Sequence, residues 1–385
     1  MSQNQKITMN RTKQPDKRIK ICFVALVGYP LLSGKVPRNI MGPAVHQALL
    51  AKELVKHNFE VAYITYDEGG PPVEHINGIE IIKTYREDHH LNPVSKAFRI
   101  WKAMIKAKAD IYFHHGGASG VVPPFCRLMR KKFVYNIASD GYVSGQAKNM
   151  KSLDRLRNWL DIKLANTIIA LNEFQRTMLK KNFSKNSVLI KNHFPLTKQK
   201  IPEKAKPPII LRVGSMSNVK NPELFLRLAE TMTEVAFQMI GGVGDDQALH
   251  DKIRESAQKI PNLEFLGVIP FNEINEYYSR ATILVDTAKF EGFPYAFIQA
   301  WMNYTPVVSL NSDPDEVICK YKLGFHSKTF NQLVEDVKTL LRNEKLRQRM
   351  GENGRRYVEE NHDITKIVKQ HVEVFKQLVK LGRSG

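Results

Sequence analysis

Glu291 is a lone carboxylate in the stretch KFEGFPYAFIQAWMNYTPVVSL, residues 289–310. The runs around it, ATILVD at 281–286 and PVVSL at 306–310, read as buried strands. A carboxylate offers only acceptors, which suits a ligand rich in hydroxyls. Gly292 lets the backbone approach a ligand closely, and Phe293 follows it in the same turn. Pro294 suits the first turn of a helix, where its missing N–H is not needed. Ala296, Phe297, Ala300 and Trp301 then mark the buried side of that helix. Gln299, one turn after Tyr295, can present its amide to a ribose. A helix that begins where a parallel strand ends also turns unpaired N–H groups toward an anion. An ordinary turn carrying an N-terminal charge has the same appearance, so the stretch decides nothing alone.

Two further elements repeat the logic. In LRVGSMSNVKNPELF, residues 211–225, a strand ends in Gly214, Ser215 opens a polar loop, and Lys220 precedes a helix starting at Asn221-Pro222. A lysine beside a glycine turn and a helix N-terminus suits a diphosphate; a solvated lysine in a basic chain is the plainer reading. The third element is GGVGDD, residues 241–246, where Gly242, Gly244 and Asp245 form a strand-end turn that can pass under a base or ribose. Isolated glycine-rich loops carry little information. Three at strand ends of one half point to a nucleotide-sugar site.

The elements that must hold these loops form two series. The first runs IKICFVALVG, the helix GPAVHQALLAKELVK that begins at Gly42, EVAYIT, a helix and strand ending in IYFHHGG, KKFVYNIASDG, ANTIIALNE and SVLIKNH. The segment HFPLTKQKIPEKAKPP, 193–208, is Lys- and Pro-rich without periodicity and reads as a linker. A second βαβα series follows, and the tail DITKIVKQHVEVFKQLVKL reads as an amphipathic helix. The expected organisation is a disordered basic arm at 1–18, a Rossmann-like domain at 19–192, the linker, a second Rossmann-like domain at 209–362 and a C-terminal helix at 363–385. Such an α/β pair, doubly wound and facing across a cleft, places ligands at the carboxyl ends of its strands.

At 385 residues the chain exceeds what one core usually supports. No apolar run reaches the roughly 20 residues of a spanning helix. The polar, basic N-terminus has no secretory pattern. Cys22, Cys126 and Cys319 form no metal or redox spacing, which suits a reducing cytoplasm. No His/Asp/Glu cluster has metal spacing either. The net charge of +20 is uneven: residues 1–190 carry 30 Lys+Arg against 14 Asp+Glu, residues 191–385 carry 28 against 24.

VGSMSNVK, GGVGDD and EGFPYAFIQ, in that order, make roughly 208–360 resemble the donor domain of retaining GT-B glycosyltransferases of family four (glycosyl transferases group 1). The first half is similar to their acceptor domain through the Gly42 helix and the YNIASD and ALNE segments. The resemblance implies that Lys220 binds the donor diphosphate, Glu291 the transferred sugar and Gln299 the ribose. Backbone amides near Gly292 and Phe293 would meet phosphate or sugar. The C-terminal helix would cross back to the first domain. It also implies a hexose moved from a UDP- or GDP-sugar to a glycan or lipid-linked acceptor in cell-surface polysaccharide or glycolipid synthesis. The expected course is retention by front-face displacement, with no cofactor and no bound metal. Three positions depart from the pattern: Ser215 replaces an arginine, Gln299 the second glutamate, and Ser139 the histidine before Asp140. Asp140 can orient an acceptor hydroxyl or cap the next turn. His114 and His115 end a strand where they can face the cleft or pack as satisfied core histidines.

NPVSKAFRIWKAMIKAKAD, 92–110, puts Val94, Ala97, Phe98, Trp101 and Ile105 on one helical face with Lys96, Arg99, Lys102 and Lys106 largely around it. With RLMRKK and KNMKSLDRLRNWLDIK it suits an anionic membrane surface, or a helix packed on its own sheet. Two other functions stay open: a non-catalytic nucleotide-sugar or polyanion binder of the same fold, and an epimerase. Without a recognition motif, nucleic acid is not an expected partner.

Overall fold

The computed structural model describes residues 18–35, 41–117, 119–144, 150–197, 200–244 and 246–383. The basic arm, apart from Arg18, and Asp245 lie outside the described residues.

The first lobe runs β1 (Lys20–Val24), α1 (Tyr29–Ser33), α2 (Gly42–Lys56), β2 (Glu60–Thr65), β3 (Val73–Ile76), β4 (Ile79–Lys83), α3 (Pro93–Ala107) and β5 (Ile111–Gly116). It continues with α4 (Val122–Leu128), β6 (Lys132–Ile137), α5 (Ser152–Leu164), β7 (Thr167–Ala170), α6 (Glu173–Phe183) and β8 (Val188–Leu189). The described strands form one sheet in the order β3-β4-β2-β1-β5-β6-β7-β8, parallel except for β3 on β4. A parallel sheet covered on both faces needs strands apolar throughout, and β1, β2 and β6 are buried over nearly their whole lengths. Two features depart from the sequence reading. The chain between β1 and the Gly42 helix contains α1, and 73–83 forms the β3–β4 hairpin at the sheet edge, neither of them among the elements read from the sequence.

The second lobe runs β9 (Ile209–Val213), α7 (Pro222–Thr231), β10 (Ala236–Ile240), α8 (Gln247–Ala257), β11 (Leu263–Gly267), α9 (Ile274–Arg280), β12 (Ile283–Asp286), α10 (Tyr295–Met302) and β13 (Val307–Ser309). Then come α11 (Val317–Tyr321), β14 (Gly324–His326), α12 (Phe330–Arg342), α13 (Glu344–Asn361) and α14 (Ile364–Arg383). Its described strands are ordered β11-β10-β9-β12-β13-β14, all parallel. The order reverses between β1 and β5 in one lobe and between β9 and β12 in the other. Ligands bind at such switch points because the connections leave in opposite directions and open a crevice.

Three features join the lobes. Val45 and Leu49 of α2 share an apolar cluster with Phe293, Tyr295 and Trp301 of the second lobe. The segment 193–208 is pinned rather than free. Phe194 donates to His362 O (2.8 Å), and the Lys204 ammonium is held by Ser279 O, Asn303 O and Thr305 Oγ1 at 3.0, 2.8 and 2.7 Å. Burial lowers the Lys204 pKa to about 7. Finally, α14 returns to the first lobe, where Ile367, Val368, Phe375 and Leu378 pack beneath β1 and β5 with Phe23 and Phe113.

Candidate active site

Three loops leave the carboxyl ends of β9, β10 and β12, and hydrogen bonds tie them together. Gly214 N–H donates to Ile240 O (3.0 Å) and Met216 N–H to Gly242 O (2.9 Å), which staples 214–220 to the 241–244 turn. Lys289 N–H donates to Val219 O (2.8 Å), and Thr287 Oγ1 donates to Lys220 O and Asn221 O (3.1 and 2.9 Å). Gly241 lies so close to the Gly214 carbonyl that no side chain fits there. Beneath the first loop lies Arg212, fully enclosed. It donates to Gly214 O at 3.0 Å and to Ser215 O and Lys220 O at 3.3 Å. Burial lowers its pKa to about 10, which leaves it charged at neutral pH.

The loops open on a cavity of about 540 Å³ between the lobes, in the range of ligand sites. Gly214, Ser215, Lys220, Gly242, Glu291, Phe293, Pro294 and Gln299 line it from the second lobe, and Gly42, His115 and Ser139 from the first. The Lys220 ammonium and the Glu291 carboxylate form an ion pair within it. The N-terminus of α2 opens on the cleft through Met41, Gly42 and Pro43, and that of α10 through Pro294 and Tyr295. Both bring the positive ends of helix dipoles to bear. The remaining wall is mostly apolar, with Val213, Ile240, Ile269, Phe271 and Tyr278, and includes Asn192 and Ser217.

Four expected site residues lie elsewhere. Gly292 does not line the cavity; it lets the loop pass the first lobe, because a Cβ there would sit 2.5 Å from Ala138 O and 3.0 Å from Gln175 Nε2. Gly244 packs against Ser217 and Met216 O. The His114 ring lies between Val24 O and Gly117 O (2.9 and 3.0 Å), away from the cleft. The Asp140 carboxylate turns to the lobe junction, where Oδ1 accepts from Asn172 Nδ2 (3.0 Å) and Gln175 Nε2 (2.9 Å).

That junction was not legible in the sequence. Asn172 Nδ2 also donates to Gly292 O (2.9 Å), and Asn192 Nδ2 donates to Phe293 O (2.7 Å). Because the trans peptide sets C=O and N–H on opposite sides, tying Gly292 O to the first lobe turns the Phe293 N–H the other way. Behind His115 lie three more buried imidazoles, His46, His193 and His371. The His46 ring is 4.3 Å from those of His115 and His193 and 5.7 Å from that of His371. His46 Nδ1 and Nε2 meet Asn192 Oδ1 and Asn136 Nδ2 at 3.1 and 3.0 Å. Burial lowers the pKa of all four, so they are neutral near pH 7. Folding also gathers Asp313, Cys319 and His326, whose ligand atoms lie within 4.8 Å of one another, a grouping that sequence spacing did not reveal. They stand outside the cleft, and Asp313 already accepts from Ile318 N–H and Cys319 N–H (2.7 and 3.3 Å).

Residues 194–357 match the family model described as Glycosyl transferases group 1, and residues 40–196 match Glycosyltransferase Family 4. The two matches abut where the two sheets meet. The chain belongs to the GT-B glycosyltransferases of the family-four type. Among relatives of this glycosyltransferase are two uncharacterised glycosyltransferases of Methanocaldococcus jannaschii. One is 23% identical over 83% of this chain and 90% of its own length, the other 22% identical over 88% and 95%. The fold matches sucrose-phosphate synthase from Thermosynechococcus elongatus with a TM-score of 0.78 at 17% identity, covering 94% of this chain and 100% of that one. It matches Anabaena HepE, solved in complex with UDP-glucose, with a TM-score of 0.72 at 12% identity over 94% and 100%.

Proposed function

We propose that this glycosyltransferase moves a hexose-type sugar from a UDP- or GDP-sugar to a hydroxyl of a glycan or lipid-linked acceptor, with retention at the anomeric carbon. The observation that carries the reading is the convergence of Lys220, the 241–242 turn and Glu291 on one cavity between the lobes. In this reading Lys220 and the N-terminal amides of α10 hold the diphosphate, Glu291 accepts from sugar hydroxyls, and Gln299 faces the ribose. The Lys220–Glu291 pair gives each group a position before substrate arrives. The bond from anomeric carbon to diphosphate oxygen breaks, the acceptor oxygen bonds on the same face, and its proton passes to the departing diphosphate. Lys220 and the helix N-termini, rather than a metal ion, meet the charge that develops on the leaving group. Asp140 is a positioning residue here. With Asn172 it holds the 138–142 turn, including Ser139, against the loop that carries Glu291.

The test is release of nucleoside diphosphate from a panel of UDP- and GDP-hexoses, with the product anomer read by NMR. One donor is expected to turn over slowly onto water. Lys220→Ala should raise its KM, and Glu291→Gln should lower kcat by about 100-fold, typical of removing one transition-state contact. Thermal stabilisation by a nucleotide sugar with no turnover under any acceptor condition would establish the non-catalytic binder instead.

A further inference from the structure

We propose that the outer face of α3, α4 and α5 docks on an anionic lipid bilayer. This does not depend on the transfer reading.

A helix that covers a sheet needs one apolar face, and α3 has two. Ile100, Ala103, Met104 and Ala107 are buried in the first lobe. Val94, Phe98 and Ile105 point outward and are 78%, 69% and 56% exposed. Spaced i, i+4 and i+11, they fall within about 40° of one another on the helix. The large residues of the stripe read from the sequence are thus turned to solvent, except at Trp101. In α5, Asn158, Asp161 and Ile162 are buried, while Leu153, Leu156 and Leu164 are exposed at i, i+3 and i+11. Between these helices lies α4, joined to α3 by Trp101, whose Nε1 donates to Val121 O (2.9 Å) and whose ring packs on Phe125. Asp161 of α5 accepts from the Gly120 N–H at 3.2 Å, just before α4. Nine of the fifteen exposed large apolar side chains among the described residues fall between Val94 and Leu164. A concentration of that kind marks an interaction surface rather than scatter.

The charge on this layer has one sign. Between Pro93 and Ala109 there are five lysines and arginines and no acid. Arg127, Arg130, Lys131 and Lys132 follow α4 or end it, again with no acid among them. In α5, Asp154 pairs with Arg157 (3.1 Å), and Asp161 is buried among backbone donors. Cations interleaved with Phe, Trp and Leu on a helix surface suit the headgroup boundary of an anionic membrane. A protein interface would be expected to exclude lysine from its centre. No described helix is long and apolar enough to cross a bilayer, so the attachment lies in the interface plane. The docked face adjoins the cleft: Met150 lines the cavity, and α5 begins at Ser152.

The experiment is co-sedimentation of the full chain with vesicles of phosphatidylcholine alone and of phosphatidylcholine mixed with phosphatidylglycerol. Binding is expected only with the anionic lipid at low salt, and added salt should release it. Trp159 of α5 is exposed as well, and Phe98→Ser combined with Trp159→Ser should weaken binding on the order of tenfold. Lys102→Glu combined with Lys106→Glu should weaken it as much. Tyr321→Ser, at an exposed position of the second lobe, should leave it unchanged. Thermal melts of each variant establish that the fold is intact. Three outcomes overturn the proposal: no binding of the wild-type chain to anionic vesicles at low salt, binding that both double variants leave intact, or a dimer in light scattering that Phe98→Ser/Trp159→Ser dissolves. Vesicle binding by a chain that turns over no nucleotide sugar would leave the docking standing and remove the transfer reading. Turnover without vesicle binding would do the reverse.

Discussion

Asp140 occupies a position that its own charge opposes. Burial raises its pKa from 3.8 to about 6, against the opposing effect of the donors on Asn172 and Gln175. A folded value above the unfolded one means that the fold favours the protonated acid. Its contribution to stability is full below the unfolded value and is lost as the pH rises through about 6. Asp140→Asn should therefore raise Tm at about pH 8 and change it little at about pH 4. A lower Tm for the variant at the alkaline pH, in paired melts, would show that the clasp needs the charge. At this scale the sequence was informative where chemistry is local: Lys220 and Glu291 lie on loops, and Gln299 on α10, whose positions follow from strand and helix order. Arg212 was illegible because an arginine inside IILRVG carries no mark that it turns under its own loop. Asp140 was placed on the right turn, but a side chain's direction depends on partners 32 and 35 residues away.

The loop carrying Glu291 depends on the first lobe for its shape. Asn172 and Asn192 hold the carbonyls of Gly292 and Phe293, and Gly292 slides past Ala138 O with no room for a methyl group. Gly292→Ala should cost about 1–3 kcal/mol, as overpacking does, and raise donor KM by displacing Glu291. A variant with unchanged Tm and KM would show that the contact gives way freely. Most elements could be read from hydrophobic runs, since buried parallel strands are almost continuously apolar and helix starts carry Pro or Asn. The β3–β4 hairpin does carry a local signal, since Asn77-Gly78 between two apolar runs is a strong hairpin turn. The periodicity of α3 showed an apolar stripe but not which of its two stripes meets the sheet. Periodicity records spacing, and only the rest of the fold supplies a direction.

Across the whole molecule, α14 and the interlobe segment meet the first lobe on a layer of neutral imidazoles. His46 from α2, His115 from β5, His193 from the interlobe segment and His371 from α14 are all buried; burial is the main cause that disfavours each charged form, and neighbouring histidines add to it at His46, His115 and His193. Asn136 and Asn192 are their polar neighbours, with no carboxylate among the causes of the shifts. The ordinary value is 6.5, and for His371 the folded value is about 4. Here the folded value is depressed, so the contribution to stability is complete above about 6.5 and is lost as the pH falls toward about 4. Thermal melts should lose Tm steeply over that interval, and His371→Gln should flatten the slope. An unchanged slope in the variant would assign the acid sensitivity elsewhere. Two lobes and a cleft were legible from the repeated βαβ order; their mutual packing was not, because it rests on contacts more than a hundred residues apart.

The return of α14 also governs how the protein comes into being. On the ribosome, β1 and β5 emerge early, yet the helix that roofs their flank is translated only after every strand of the second sheet. A nascent first half must therefore persist with Phe23 and Phe113 uncovered on that side, awaiting a cover from more than two hundred residues further along the chain. The two halves mature together, and a cut between the sheets would yield a fragment prone to aggregate rather than a smaller working unit.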